Sequence, residues 1–523
     1  MIVKDLRNID LTFGLVYPNS KEIGMSSYAI RLLYYLINLN DNIACERIFL
    51  PKSVKFPASI DNLSSKSILS AENTLAPKDF DILGFSIHSE NDFRNVLWIL
   101  DKAGIPLTSK ERNQEKGSEK NYPIIIAGGP VVTSNPLPIA NYIDILFIGD
   151  SEHNLDPFLK LCIDYKNKNL TIRQFLEKSC SISGIFVPVL RNKVVRALLR
   201  DLDSVPSPNY QLFSSNSSKD IFESYYFIEI NRGCPYQCKF CLSSYHNFPF
   251  RNQSYDHIEN AIKEALKISD VNVISLIGSC VSAHPKFQEI CEYIVNNNKR
   301  IAIPSIRMEH INPKILNILE KGDVKTITIA PETGSEKLRY ALGKKISNDM
   351  VISVVNQIRN SSIKNVKFYF LIGLPNETLE DVREILTLLK EIEKLKFPKY
   401  SLKVNINPFV PKSSTPYQND VSHFLKENIA ILRQKYNLLL KELKNSASFK
   451  LKFLEFKNII KNARIQALFS LGDWNTGELL KVYYLNGANL GALRRAEKEL
   501  DMSVNDYLLK IGSGYIPWKL NLE

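Results

Sequence analysis

The sequence contains no long apolar run and has few glycines and prolines. No stretch approaches the roughly 18 consecutive apolar residues that a membrane-spanning helix needs. The opening MIVKDLRNID mixes both charge signs, where a secretory signal is basic and then apolar. Glycine and proline supply 21 and 25 of the 523 residues, which excludes collagen-like and mucin-like chains. We expect a cytoplasmic protein with no membrane segment.

Basic residues outnumber acidic ones, but they are not concentrated in one part of the chain. Lys and Arg total 67 against 55 Asp and Glu, a net charge of +12, and the lysines are spread throughout. Such a distribution does not predict a nucleic-acid interface. With 44% hydrophobic and 23% charged residues the composition is globular. The length predicts about three domains of roughly 150 residues each.

Three of the eight cysteines are clustered. Cys234, Cys238 and Cys241 lie in the segment NRGCPYQCKFC with C-x3-C-x2-C spacing. The other five, at positions 45, 162, 180, 280 and 291, are scattered, as is typical of small buried side chains. Because a disulfide framework is not expected in a large reduced protein, the cluster indicates a metal centre.

Two kinds of metal centre are compatible with three neighbouring thiolates. They can hold three irons of a 4Fe-4S cluster and leave the fourth iron without a protein ligand. The alternative is a Cys3His zinc site with His246 as the fourth ligand. Structural zinc sites usually pair two C-x2-C knuckles, and the sequence has no second one. The spacing therefore favours the cluster.

Residues 1–200 alternate short apolar strands with helical periodicity. Strands are predicted at 11–18, 81–88, 122–130 and 142–152, and helices at 26–38 and 92–103. This alternation predicts a doubly wound, Rossmann-like sheet, whose ligand crevice lies at the carboxyl ends of the parallel strands. Polar turns at 17–26, 86–91, 128–130 and 149–152 fall at those ends. They predict a pocket there.

The rest of the chain divides into three further parts. The Ser- and Pro-rich segment 201–221 predicts a linker. Between 222 and 420, helical patterns separate six predicted strands, at 225–230, 271–278, 300–307, 324–332, 365–373 and 401–409. Six such units predict a partial (β/α)6 TIM-like barrel with its site on the loops after the strands. Residues 421–523 are predicted to be helical.

The cysteine loop, directly after the first predicted barrel strand, resembles the radical S-adenosylmethionine (SAM) superfamily. Six further segments are similar to the branch with an N-terminal cobalamin-binding-type domain: YPNSKEIGMS (17–26), IIIAGGPVVTSNPLP (124–138), TIAPETGSEKLR (328–339), FYFLIGLPNET (368–378), PFVPKSSTPYQ (408–418) and GDWNTGELL (472–480). The resemblance spans most of the chain.

The resemblance implies a set of cofactors and partners. The open iron of a 4Fe-4S cluster would chelate SAM, and a reductant such as ferredoxin or flavodoxin would drive its cleavage to a 5′-deoxyadenosyl radical. Cobalamin would carry a methyl group. The protein would position and tune these cofactors. The expected substrate is a small molecule, a peptide or a protein.

The resemblance also implies which residues contact SAM. They are Phe240, Gly278, Ser279, Ser305, Arg307, Glu309, Glu332 and Gly373. Ile277-Gly278-Ser279 stands where a Gly-Gly-Glu motif often contacts the SAM amino group, so this sequence departs from the usual pattern there. The guanidinium of Arg307 suits a carboxylate because it donates two parallel hydrogen bonds. An ion pair within the protein is the alternative for Arg307.

A second set of residues is expected around cobalamin. It comprises Tyr17, Asn19, Glu22, Ser26, Ser86, Glu90, Gly128, Gly129, Gly149 and Glu152. The D-x-H-x-x-G motif, whose histidine ligates cobalt in related domains, is absent. His88 and His153 are the histidines of residues 1–200, and neither has that setting. Because some members of the branch bind cobalamin without a lower histidine, cobalamin remains implied.

The function predicted is a cobalamin-dependent radical SAM methyltransferase acting on an unactivated carbon. One alternative is a radical SAM rearrangement or cyclisation enzyme without methyl transfer, and another is a non-catalytic cobalamin-binding sensor. A third, a tRNA methylthiotransferase-like enzyme, needs three more clustered ligands upstream. Cys45, Cys162 and Cys180 are separated by 117 and 18 residues, which disfavours it.

Overall fold

A computed structural model describes residues 2–51, 68–114, 122–208, 225–268, 271–444, 446, 448–452 and 455–522. Most of the linker predicted at 201–221 lies outside these residues. The strands are β1 (Leu11–Ser20), β2 (Ile43–Leu50), β3 (Ile82–Ser86), β4 (Ile124–Gly128), β5 (Ile145–Phe147), β6 (Ile185–Phe186), β7 (Tyr225–Glu229), β8 (Asn231–Arg232), β9 (Arg251–Asn252), β10 (Val273–Ile277), β11 (Arg300–Ala302), β12 (Thr326–Glu332), β13 (Asn365–Ile372), β14 (Leu402–Pro408) and β15 (Phe449–Lys452).

Nineteen α-helices accompany these strands in the described residues. They are α1 (Lys21–Met25), α2 (Tyr28–Asn38), α3 (Phe93–Lys102), α4 (Ser109–Gln114), α5 (Pro130–Ser134), α6 (Glu152–Lys166), α7 (Ile172–Ser179), α8 (Leu242–His246), α9 (Tyr255–Leu266), α10 (Phe287–Asn296), α11 (Pro313–Lys321), α12 (Glu336–Ala341), α13 (Asn348–Arg359), α14 (Leu379–Glu393), α15 (Ile429–Lys444), α16 (Phe456–Ser470), α17 (Trp474–Leu485), α18 (Leu490–Glu499) and α19 (Val504–Gly512). Over the part of the chain described, none has the length and apolarity needed to cross a membrane.

The N-terminal region forms a six-stranded sheet in the order β2-β1-β3-β4-β5-β6. All pairs are parallel except β5 with β6. The chain leaves β1 toward one side for β2 and returns to the other side for β3, so the strand order reverses between them. The predicted doubly wound sheet is confirmed, and its ligand crevice is expected at this reversal.

Strand β2 is absent from the sequence prediction because charged residues interrupt its apolar pattern. Glu46 and Arg47 are both buried. Arg47 forms an ion pair with Glu72 at 2.7 Å, and Asn73 Nδ2 donates to Glu46 at 2.6 Å. Satisfied in this way, the two charges can occupy a buried strand.

The second region forms the partial barrel. Its parallel strands make two sheets, β11-β10-β7 and β12-β13-β14-β15. All six predicted strands are present, although β11 ends at Ala302 rather than at 307. Residues 421–523 were predicted to form a helical region, yet β15 within it pairs in parallel with β14. This strand is short and alternates with lysines, so its sequence carries little strand signal.

The C-terminal helices bridge the other two regions. Tyr142 Oη donates to the carbonyl of Gly477 at 2.6 Å, and Asn135 Nδ2 donates to that of Ser470 at 3.0 Å. One continuous apolar cluster joins the N-terminal sheet, the barrel and α17. The N-terminal sheet and the barrel are therefore held in a fixed relation, with the carboxyl ends of β3 to β5 facing β7 and β10.

Candidate functional site

The three clustered cysteines lie on the loop between β8 and α8. Cys238 is buried, and Cys234 and Cys241 are partly exposed. Backbone bonds fix the loop: Cys241 N donates to the carbonyl of Cys238 at 2.9 Å, and Lys239 N donates to that of Leu342 at 2.9 Å. The position predicted for the loop, after the first barrel strand, is confirmed.

The loop thiols differ in their electrostatic surroundings. A hydrogen bond with the Cys280 thiol outweighs burial and, together with the positive charge of Arg307, lowers the pKa of Cys234 to about 6. Burial raises the pKa of Cys238, and the positive charges of Lys344 and Arg307 oppose that rise. A thiolate is the form that binds a metal. The surrounding cations therefore suit a loop whose thiols bind a metal.

The three thiols of the loop are a donor set that a 4Fe-4S cluster accepts. Over the described ranges, no three His, Cys, Asp or Glu side chains are gathered closely enough to hold one metal ion. In a 4Fe-4S cluster each thiolate binds a different iron, so the sulfurs need not converge on one point. His246, the fourth ligand of the zinc alternative, hydrogen-bonds through Nδ1 to the carbonyl of Leu242 at 2.7 Å and lines a neighbouring cavity.

That cavity, of about 550 Å³, lies between the N-terminal sheet and the barrel. We call it the interdomain cavity. The residues predicted for cobalamin that line it are Ser26, Ser86, Gly128, Gly129, Gly149 and Glu152. Gly278 and Ser279, predicted for SAM, line the opposite wall together with Ser243 and His246 of α8. The helix that follows the cysteine loop is therefore part of this wall.

The inner part of the interdomain cavity is apolar. Phe13 and Leu15 of β1 and Leu32 of α2 line it. A Cβ atom at Gly84 would lie 2.6 Å from the Phe13 ring, so a larger residue would crowd this end. At the polar rim, Gly149 has φ +102° and a Cβ there would lie 2.2 Å from the carbonyl oxygen of Ala197. Only glycine adopts this turn without strain.

Two buried polar atoms on the walls of the interdomain cavity have no hydrogen-bond partner among the described residues. They are Ser27 Oγ and Glu152 Oε2. Buried polar groups are nearly always paired. The cavity thus combines an apolar interior with polar groups still available to a ligand, which suits a large amphipathic group.

An ion network joins the two walls. Arg232, two residues before Cys234, contacts Asp150 at 2.8 Å, Glu152 at 2.9 Å and Glu229 at 2.7 Å. Arg251 contacts the other oxygen of Asp150 at 2.7 Å. Burial alone would raise the pKa of the Asp150 carboxyl, but the two arginines outweigh it and hold that pKa below its usual range. The network fixes the cysteine loop relative to the N-terminal sheet.

A second cavity, of about 450 Å³, lies at the carboxyl ends of β1 and β3. Tyr17 and Asn19, both predicted for cobalamin, line this cavity rather than the first. His88 lines both cavities. Burial raises the pKa of Asp92 to about 7, although Asn19 Nδ2 donates to its carboxylate at 2.9 Å.

The raised pKa of Asp92 predicts that the folded protein becomes less stable as pH rises. Its folded pKa lies above the unfolded value, so the folded state binds the extra proton between about pH 4 and pH 7, and stability falls over that window. Between pH 5 and pH 8 we expect a loss of roughly 2 kcal/mol that Asp92→Asn removes. Urea unfolding of both proteins at the two pH values measures it. If the free energy of unfolding changed equally between the two pH values in the natural protein and in Asp92→Asn, the raised pKa of Asp92 would be contradicted.

The residues predicted after the third barrel strand contact one another. Arg307 and Glu309 form an ion pair, which is the alternative stated for Arg307. The Arg307 guanidinium also lies 3.5 Å from the ring centroid of Tyr236, on the cysteine loop. Ser305 is exposed beyond the end of β11. Arg307 is thus next to the cysteine loop, while Ser305 is on the surface.

The remaining residues predicted for SAM have partners within the protein. Glu332, at the end of β12, pairs with Lys344 at 2.5 Å, and Lys344 Nζ lies 5.9 Å from the ring centroid of Phe240. Gly373 follows β13 with φ +80°, and a Cβ there would lie 2.8 Å from the ring of His423. Packing against His423 already requires this glycine.

Two residues predicted for cobalamin lie elsewhere. Glu90 is buried and accepts from Lys412 Nζ at 2.6 Å and from Gln466 Nε2 at 3.0 Å, so it joins the N-terminal region to the C-terminal helices. Its carboxylate pairs with a residue far away in sequence, and a contact between Glu90 and cobalamin stays a prediction. Glu22 lies on α1 and lines neither cavity.

Several residues of the site were not predicted from the sequence. Asp150, Arg232 and Arg251 were not singled out, although Asp150 lies in the turn 149–152 and Arg232 directly precedes the cysteine loop. These positions in the sequence could have identified Asp150 and Arg232 as site residues. Nothing local marks Arg251, whose contact with Asp150 spans 101 residues.

Two family models match the chain one after the other. The model described as "Radical SAM proteins, N-terminal" matches residues 29–188, which contain most of the first sheet. The model of the radical SAM superfamily matches residues 228–389, which contain the cysteine loop.

Curated relatives extend over most of the chain. An uncharacterized protein of Methanocaldococcus jannaschii is 26% identical over 504 residues, covering 96% of each chain. A tRNA-2-methylthio-N(6)-dimethylallyladenosine synthase of Ehrlichia canis is 24% identical over 385 residues, covering 70% of this chain and 78% of the synthase.

Two solved structures share the fold. The radical SAM methyltransferase TsrM of Kitasatospora setae, solved with cobalamin and a 4Fe-4S cluster, aligns with a TM-score of 0.55 at 11% identity, covering 93% of this chain and 99% of TsrM. The cobalamin-dependent SAM radical enzyme OxsB, solved with aqua-cobalamin and SAM, aligns with a TM-score of 0.55 at 14% identity, covering 96% and 78%. With both family models matched in the order of the fold and the cysteine loop after the first barrel strand, the chain belongs to the radical SAM superfamily.

Proposed function

We propose that the protein is a cobalamin-dependent radical SAM methyltransferase acting on an unactivated carbon. The observation that carries the proposal is the interdomain cavity. One wall is the carboxyl edge of the doubly wound sheet, and the other is the end of β10 with the helix that follows the cysteine loop. A corrinoid on the first wall and SAM on the second would therefore face one substrate. TsrM and OxsB, which share the fold, were solved with such cofactors.

The chain's own residues have separate tasks in this proposal. Cys234, Cys238 and Cys241 would hold the cluster, which supplies the electron that cleaves SAM. Ser27 Oγ and Glu152 Oε2, the unpartnered polar atoms on the cavity wall, would bind polar groups of the corrinoid. The apolar lining would help to keep water out of the space between the walls once the ligands are bound, and this would protect a reactive radical from side reactions.

The tRNA methylthiotransferase alternative has a relative in its favour, the synthase of Ehrlichia canis. Such an enzyme needs a second set of clustered thiolates in the N-terminal region. Cys45 lies in β2 and Cys162 in α6, both packed among apolar side chains. Burial raises the pKa of both thiols well above the ordinary value, so they stay protonated. The methyltransferase proposal is better supported.

The test uses the full chain, purified without oxygen and reconstituted with iron, sulfide and hydroxocobalamin. Optical spectra report cluster and corrinoid together, and both are expected at about one per chain. Deuterated-methyl SAM and titanium(III) citrate are then added. We expect 5′-deoxyadenosine and the deuterated methyl group on cobalamin. 5′-Deoxyadenosine without methyl transfer would favour the rearrangement alternative, and a chain that binds no corrinoid would overturn the proposal.

A further inference from the structure

His88 lies two residues beyond β3, beside the point at which the strand order of the N-terminal sheet reverses. Its imidazole lines both the interdomain cavity and the second cavity. The ring packs edge-on against Tyr17, with centroids 5.3 Å apart. In doubly wound sheets the ligand lies at this reversal, outside the carboxyl ends of the strands. His88 is thus the imidazole that the sheet presents to a ligand bound there.

The hydrogen bonding of the ring leaves one nitrogen available. The Nε2 atom lies 3.2 Å from Ser86 Oγ. Within the part of the chain that the structure describes, Nδ1 has no hydrogen-bond partner, and it is not among the unpartnered atoms fully shielded from solvent. When Nε2–H donates to Ser86, the lone pair of Nδ1 is directed away from that bond. Metal-binding histidines usually have their second nitrogen fixed by such a hydrogen bond.

The ring is also in the right protonation state. Burial lowers the pKa of His88 to about 4, so the imidazole is neutral at physiological pH. A neutral imidazole is the form that ligates a metal. Burial raises the pKa of Asp92, the acidic group that lines the second cavity, to about 7, so its carboxyl is only partly ionised at neutral pH.

We propose that His88 ligates the cobalt of cobalamin from the sheet side, through Nδ1, in place of the histidine of the missing D-x-H-x-x-G motif. The proposal rests on the proposed cobalamin binding. Three observations carry it: the place of His88 at the strand-order reversal, its exposure to both cavities, and the Ser86 hydrogen bond to its other nitrogen.

A second histidine of the interdomain cavity provides a matched control. His246 lies on α8, in the opposite wall, and its Nδ1 hydrogen-bonds to the carbonyl of Leu242. A third histidine, His153, is exposed and bonds to Ser204. If an imidazole ligates cobalt from the sheet side, substitution of His88 removes that ligand, whereas His246→Gln and His153→Gln retain it.

The experiment is electron paramagnetic resonance of the chain reconstituted with hydroxocobalamin and reduced to the cobalt(II) state. One axial nitrogen-14 splits each cobalt line into three, whereas one nitrogen-15 splits it into two. The protein is therefore prepared with nitrogen-15 histidine and given unlabelled cobalamin. We expect doublets in the labelled protein, triplets in the unlabelled protein, and loss of the splitting in His88→Ala and His88→Gln.

Each other outcome overturns the assignment. Triplets in the labelled protein mean that the cofactor's own base is the ligand. Unsplit cobalt lines mean that no nitrogen binds. Doublets that persist in both His88 variants but vanish in His246→Gln assign the ligand to the barrel wall. In these three cases bound corrinoid is seen by its absorbance, so the proposed function stands, whereas a chain that retains no corrinoid removes both proposals together.

Discussion

Replacing Cys238 by alanine is expected to abolish the reductive cleavage of SAM. Cys238 is the buried cysteine of the loop, and no fourth thiol lies on that loop to replace it. Loss of an outer partner of a metal ligand already costs about 10- to 100-fold in metal affinity. We therefore expect cluster occupancy and the rate of 5′-deoxyadenosine formation to fall by roughly two orders of magnitude or more.

The measurement combines iron content, cluster absorbance and chromatographic detection of 5′-deoxyadenosine after anaerobic reconstitution. The matched control is Cys180→Ala, which removes a half-buried thiol at the end of α7, far from the loop in sequence. The control should retain both cluster and cleavage. If the Cys238 variant formed 5′-deoxyadenosine at an unchanged rate, the role of this loop in cleaving SAM would be contradicted.

Among the substitutions considered, replacing Asp150 by alanine is expected to lower the free energy of unfolding most. The substitution leaves Arg232 and Arg251 without the carboxylate that both contact, at 2.8 and 2.7 Å. Breaking a buried ion pair by removing one partner costs about 3–5 kcal/mol. A urea unfolding midpoint measured at pH 7 reports the loss. Lys263→Gln, which removes an exposed pair with Glu259, should change stability by less than about 0.5 kcal/mol.

The Asp150 carboxylate also makes the stability of the folded protein depend on pH, and the direction of that dependence follows from its lowered pKa. Its folded pKa lies below the unfolded value, so its contribution is present above the unfolded pKa and is lost as pH falls through the folded pKa. Stability of the natural protein should therefore decrease below about pH 4 more steeply than that of Asp150→Ala. Equal slopes for the two proteins in that range would show that the ion network contributes little.

Regular patterns allowed much of the fold to be predicted from the sequence. Apolar strands alternating with helical periods located β1, β3, β4 and β5 and all six barrel strands within a few residues. Strand β2 was missed because Glu46 and Arg47 break the apolar pattern, and the side chains that hydrogen-bond to them lie 25 or more residues away. Strand β15 was missed because four residues hold too little periodicity to indicate a strand.

The site was predictable only where local sequence determines position. The turns after β4 and β5 carry glycines and polar residues, and Gly128, Gly149 and Glu152 accordingly line the interdomain cavity. Glu90 satisfies the same local rule, yet Lys412, 322 residues away, draws it into an ion pair. A pairing over that distance is set by the packing of whole regions and leaves no mark near Glu90.

The two walls of the interdomain cavity leave the ribosome at different times. The sheet wall is complete once Leu155 has been synthesised, whereas the barrel wall ends at Ser279. At bacterial and eukaryotic elongation rates the interval is on the order of ten seconds, and domains generally fold as units during synthesis. The N-terminal sheet, whose last strand β6 ends at Phe186, is thus synthesised before the barrel that forms the other half of the cavity.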